Sequence, residues 1–124
     1  MMVAMIICDQ IITEMGTNKK SIIGCFNNVF SPTFPCVHPT FFVFIMLTNG
    51  RGGFKTKLKC INEKDNSVLF EVGGSVIFND PMQTAEIAFK LVNLTFPNAG
   101  SYAIQLWCDD DLLMPRKINV TQTP

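Results

Sequence analysis

Few side chains in this chain of 124 residues have types and spacings suited to chemistry. Cys36 and His38 offer a thiol and an imidazole two residues apart, and Asp110 lies in the acidic run Asp109-Asp110-Asp111. A cysteine, a histidine and an aspartate can together hold zinc. Structural zinc sites usually pair their ligands at CxxC-like spacing, which none of the five cysteines (Cys8, Cys25, Cys36, Cys60, Cys108) shows. The plainer reading is a half-buried thiol and an isolated imidazole. The aspartate triplet lacks the spaced oxygen ligands and the glycine of a calcium loop and reads as a polar turn. Gly16-Thr17-Asn18-Lys19-Lys20-Ser21 has the look of a phosphate-binding loop, but that loop needs glycine directly before its Lys-Ser pair and a helix after it. Here Lys19 stands at that position, and Ile22-Ile23-Gly24 reads as strand, so a solvated hairpin is expected. The one histidine has no Ser or Asp in a recognisable elbow, so no nucleophile, base and acid assemble. No catalytic residue, resident metal or cofactor is expected.

The bulk numbers narrow the partners. Ten basic residues against ten acidic ones leave no global field to draw nucleic acid or anionic lipid. Lys55, Lys57 and Lys59 alternate along one strand as a solvated or edge-protecting face, without the arginines and exposed aromatics that nucleic acid would want. The chain is 48% hydrophobic and 16% charged, so it can bury a core without staples and has little charge to keep copies apart. The apolar run from Met1 stops at Asp9, too short to span a membrane and without the basic start of an export signal. A cytoplasmic protein with reduced thiols and no membrane contact is expected. Asn93-Leu94-Thr95 and Asn119-Val120-Thr121 fit the glycosylation pattern but would be idle there.

The elements that must position these residues are strands. No stretch sustains helical periodicity; short apolar or alternating runs recur between Gly, Pro, Asn and Asp breaks, the pattern of a sandwich or barrel. Val3–Cys8 and Ser21–Asn27 flank the Gly16–Lys20 turn, and Ser31–Pro39 reads as an extended link between sheets, because prolines exclude a central strand. Phe41–Leu47 is apolar on both faces. Phe54, Thr56, Leu58 and Cys60 point one way and the lysines the other; Gly73-Gly74 predicts a break or bulge; Ile87, Phe89 and Leu91 alternate inward against Glu86, Ala88 and Lys90. In the last quarter Tyr102, Ile104, Leu106 and Cys108 face inward and Gln105 and Trp107 outward, and a turn at Asp109–Asp111 leads to a strand with Ile118 and Val120 inward.

Gly100-Ser101-Tyr102, opening an inner strand, resembles the tyrosine corner of immunoglobulin-like sandwiches, with Ile104 where those domains carry a disulfide cysteine. The chain as a whole resembles a family of short uncharacterised bacterial proteins, a domain of unknown function, in Ala4-Met5-Ile6-Ile7-Cys8-Asp9, in Gly16–Ser21 with Gly24 and Phe26, and in the Gly100-Ser101-Tyr102 strand. That resemblance implies a bacterial cytosolic setting and brings no catalytic residues. The expected architecture is one domain over residues 1–124: an all-β, immunoglobulin-like antiparallel β-sandwich of about seven to nine strands, with no disulfide.

In such a topology the Cys36–His38 link and the Asp109–Asp111 turn would share one end, and the Phe41–Leu47 strand would lie beside the one carrying Trp107. Phe42, Phe44 and Met46, or the alternate set Phe41, Val43, Ile45 and Leu47, would then point outward. With the first set, Phe42, Phe44, Met46 and Trp107 form one apolar outer face, unless the Pro-rich link or the Met1–Ile7 run folds over it. The expected function is a non-catalytic binding or assembly module whose partner is a protein or a second copy, most simply a homodimer. The alternative is a sandwich that binds a small ligand, either a sugar on Trp107 or a metal at the Asp109–Asp111 end; an enzyme ranks last.

Overall fold

The computed structural model describes residues 2–124, and among them no residue is helical. Nine strands follow in order: β1 (Met2–Thr13), β2 (Lys20–Cys25), β3 (Asn28–Ser31), β4 (Cys36–Thr48), β5 (Gly52–Asn62), β6 (Val68–Phe78), β7 (Ala85–Phe96), β8 (Gly100–Cys108) and β9 (Asp111–Gln122). They form a four-stranded sheet ordered β2-β1-β4-β7 and a five-stranded sheet ordered β3-β9-β8-β5-β6. With β1, β4 and β7 as strands A, B and E, and β6, β5, β8 and β9 as C′, C, F and G, this is the immunoglobulin-like arrangement. All pairings are antiparallel but one: β3 runs parallel to β9, from Asn28 opposite Asn119 to Ser31 opposite Gln122.

Alternation decides what each strand buries. The inward set of β4, Phe41, Val43, Ile45 and Leu47, is at most 1% exposed, and Met5 and Ile7 of β1 flank it. Across the core stand Leu58 and Cys60 of β5, Tyr102, Ile104 and Leu106 of β8, and Ile118 and Val120 of β9. Each such aliphatic side chain contributes about 1.5–3 kcal/mol by leaving water. The four cysteines at positions 8, 36, 60 and 108 are buried as free thiols, and no disulfide forms.

Two local expectations need correcting. The ladder between β5 and β6 runs unbroken through Gly73 and Gly74; its irregularity falls instead at Cys60/Ile61. Gly74 is closely approached: a Cβ there would lie 3.0 Å from Thr56 Oγ1, tight enough that the hydroxyl must give way, and 3.6 Å from the Phe89 ring. The Pro-punctuated stretch is not all link either: β4 already begins at Cys36 and includes Pro39. The ladder with β1 reaches only to Phe42, so the Pro39 segment is paired on one side alone, as at a sheet edge, where proline is tolerated. Opposite Pro39, Asn93 takes a left-handed conformation (φ 54°), and the burial phase of β7 shifts from Leu91 to Leu94 and Phe96.

The tyrosine corner is present. The Tyr102 hydroxyl donates to the Asn98 carbonyl at 2.7 Å and accepts from the Asn98 N–H at 3.4 Å, and its ring packs edge-on against Phe96 at 4.9 Å. The bond holds the turn between β7 and β8, where the chain changes sheets. Tyr102→Phe is expected to lower the unfolding free energy by about 1 kcal/mol and Tyr102→Ala by about 3–5 kcal/mol, read from denaturant midpoints at constant slope.

Candidate functional site

The residues expected to form one apolar face lie on two. β4 pairs with β1 and β7, whereas β8 pairs with β5 and β9, so Phe42, Phe44 and Met46 stand on the outer side of the four-stranded sheet and Trp107 on the outer side of the other. Alternation along β8 gives Trp107 its outward direction. The run 41–47 is apolar on both faces, and only burial of Phe41, Val43, Ile45 and Leu47 shows that Phe42, Phe44 and Met46 are the outward set. The pairing partners, remote in sequence, decide which sheet carries each strand.

Trp107 sits among polar neighbours. Its indole N–H donates to Gln105 Oε1 at 3.0 Å, and the Lys59 ammonium lies 5.1 Å from the ring centre. Lys57, opposite Trp107 in the ladder, bonds Glu71 at 2.9 Å and holds that carboxyl below its ordinary range. With its polar handle satisfied and a cation over its face, the half-buried indole is a latch within its own sheet.

The outer side of the four-stranded sheet is apolar at its centre. Register places Ile6, Phe44 and Ala88 in one row, Ala4, Met46 and Glu86 in the next, and Cys8, Phe42 and Lys90 in the third. Phe44 is only 5% exposed and Cys8 fully buried, so these two form the floor, while Ile6, Phe42 and Met46 are half-buried and reach solvent. Farther out, on β2, Ile23 is 45% exposed. The β1 run that could have covered this face is instead a strand of the same sheet; Met1 lies outside the described residues. Sequence reasoning found Phe42, Phe44 and Met46 but missed Ile6 and Ile23, which only the β1 pairings bring beside them.

Cys36, His38 and Asp110 do not converge. Cys36 and His38 open β4 opposite Phe96 and Leu94, at the end where β8 begins. Asp110 follows the far end of β8, roughly 30 Å away at the usual rise per strand residue. Among the described residues no three His, Cys, Asp or Glu side chains gather as metal ligands. The aspartate turn closes a strand: Asp109 accepts the Lys55 N–H at 3.1 Å through Oδ1 and donates its own N–H to the Lys55 carbonyl at 2.7 Å. Gly16–Lys20 is the predicted hairpin, with Asn18 N–H on the Glu14 carbonyl and Glu14 N–H on the Lys19 carbonyl.

His38 belongs to a small aromatic cluster. Its ring lies 5.1 Å from that of Phe26 and 5.2 Å from that of Phe41, and its Nε2 is 3.9 Å from Asp9 Oδ1. Burial lowers its pKa, and the Asp9 charge offsets part of that. A group depressed in the folded state binds its proton more readily when unfolded, so stability is full above the unfolded value of about 6.5 and is lost as pH falls below it. Denaturant midpoints should therefore drop between pH 7 and pH 5, and His38→Phe should flatten that slope.

The thiols differ sharply. Burial raises the pKa of Cys8, helped by Cys25 opposite it in the ladder; it pushes Cys60 up to about 12 and raises Cys108, helped by Asp109 and Asp111. Cys25 alone is exposed. A maleimide should label Cys25 within minutes on the folded protein and the other four only on unfolding, resolved by peptide mass mapping.

The fold defines the class: an immunoglobulin-like β-sandwich whose five cysteines stand as free thiols. Over residues 3–121 the chain matches the family described as "Family of unknown function (DUF6941)", and it belongs to that family. No curated protein matches it. Among the described residues no helix is long and apolar enough to cross a membrane.

Proposed function

We propose that this chain is a non-catalytic assembly module that forms a homodimer by stacking the outer face of its four-stranded sheet on that of a second copy. One observation carries the reading: the central rows of that face bring Ile6, Phe42, Met46 and Ala88 to solvent over a closed floor of Phe44 and Cys8. Sheets stack about 10 Å apart through interdigitating apolar side chains, and half-exposed aromatic, Met and Ile side chains over a packed floor suit that contact. The flanking Glu86 and Lys90 supply the polar rim usual around an interface core. The net charge of zero opposes no approach of like copies.

The setting we propose is the bacterial cytoplasm, a reducing compartment. Four buried free thiols and an unlinked sandwich core suit it.

Met46→Asp and Phe42→Ser place polar groups at the solvent side of the face without touching the inward set. Each should weaken self-association at least 10-fold by sedimentation equilibrium, on the order of 1.4 kcal/mol or more, with an unchanged circular-dichroism spectrum. Trp107→Ala, on the other sheet, should leave association unchanged. Equal association of all three variants with the native chain would overturn the reading.

A further inference from the structure

The four-stranded sheet ends on β7, which pairs with β4 on one side; among the described residues no strand pairs with the other. Immunoglobulin-like sandwiches place strand D there. Its position here opens onto a groove of about 370 Å³ between Lys90–Thr95 of β7 and Leu69–Val72 of β6. Among the four edge strands β7 stands apart. β2 and β3 are only 6 and 4 residues long, and β6, 11 residues long, has a single charge, Glu71, already paired with Lys57, whereas β7 runs 12 residues with neither Gly nor Pro. Natural edges are blunted by proline, bulges or inward-pointing charges. From Ala85 to Leu91 this one keeps a regular alternation, with Glu86 and Lys90 on the outer side.

We propose that a second copy of this chain pairs with the first along β7, antiparallel, with the two-fold axis through Ala88, so that two four-stranded sheets become one of eight. The proposal deepens the reading of this sheet as the associating one; Ala88, Glu86 and Lys90 border both contacts, but the edge register turns on the two charges, whereas the stack turns on Phe42 and Met46. In an antiparallel pair, facing residues both turn their N–H and C=O toward the shared edge or both turn them away. A strand pairing with its own copy must therefore centre on a residue, never between two. Centred on Ala88, Glu86 faces Lys90 of the second copy and Lys90 faces its Glu86. On the inner side Ile87 faces Phe89, and Ala85 faces Leu91. Centred on Ile87, Glu86 faces Ala88; centred on Phe89, it faces Val92. Centred on Glu86 or Lys90, like charges meet. Only the Ala88 register pairs both charges twice over, and neither Glu86 nor Lys90 has an ion-pair partner within the described chain. Half-buried Ile87 gains a neighbour on the inner side, and the small Ala88 allows close approach at the axis.

Charge reversal tests the register on the full chain. Glu86→Lys and Lys90→Glu each set two like-charged pairs against one another and should each weaken edge pairing at least 10-fold by sedimentation. The double reversal restores opposite charges and should recover it, and an equimolar mixture of the two single variants should form a heterodimer. With both contacts intact the native chain sediments as an assembly larger than the stacked dimer. Met46→Asp then leaves the edge dimer, and either single reversal leaves the stacked dimer, so each contact fails separately. If only the charge variants change the mass, the edge pairing stands and the stacking falls. A native chain without edge pairing, single variants that pair as tightly as the native chain, or a folded double reversal that does not recover would each overturn the proposal.

Discussion

Seven consecutive apolar residues in one strand cannot all be buried by one core, because side chains along a strand alternate between two faces. Phe41–Leu47 is that strand, and the molecule is organised around how its two faces are met. The inward set is closed off from water by the five-stranded sheet, and the core of the sandwich condenses on it. Among the described residues the outward set meets no second layer. It is met only within its own sheet, by Ile6 and Cys8 of β1 and by Ala88 of β7, which bury Phe44 but leave Phe42 and Met46 half in water. Placing the strand in the middle of its sheet limits how much of the outward set is open.

Much of the architecture was legible because it is written locally. The alternation of β5, β7 and β8, the turns at Gly16–Lys20 and Asp109–Asp111, and the Tyr102 corner depend on residues a few positions apart, and all stand where the sequence placed them. What failed was non-local. That β4 lies beside β1 and β7, and not beside β8, is a choice among pairings more than thirty residues apart in sequence, and no spacing records it. Alternation therefore places Trp107 on the correct side of its strand but leaves open which sheet that strand joins. The same gap put Cys36 and Asp110 at one end when they stand at opposite ends.

Local rules also failed where a neighbour changed their meaning. Pro39 excludes a fully paired strand, but β1 ends its ladder at Phe42, so the proline never meets a missing donor. Gly73-Gly74 has the composition of a break, yet Gly74 serves to admit the Phe89 ring and the Thr56 side chain. Pro39 keeps its preference and finds a place that tolerates it; Gly73 and Gly74 keep ordinary extended backbone, the expected break does not form, and what matters at Gly74 is the side chains of other strands.

The parallel pairing of β3 with β9 has a consequence for how the chain is made. Asn28–Ser31 needs Asn119–Gln122 as its ladder partner, and β8, at the centre of the five-stranded sheet, needs β9. Until the last strand has left the ribosome, β3 has nowhere to pair, and the sheet beneath the Phe41–Leu47 core stays incomplete. Contacts this distant in sequence make for slow closure. During that interval the core lacks Ile118 and Val120, and Phe41–Leu47 is a nascent segment on which chaperone engagement would fall.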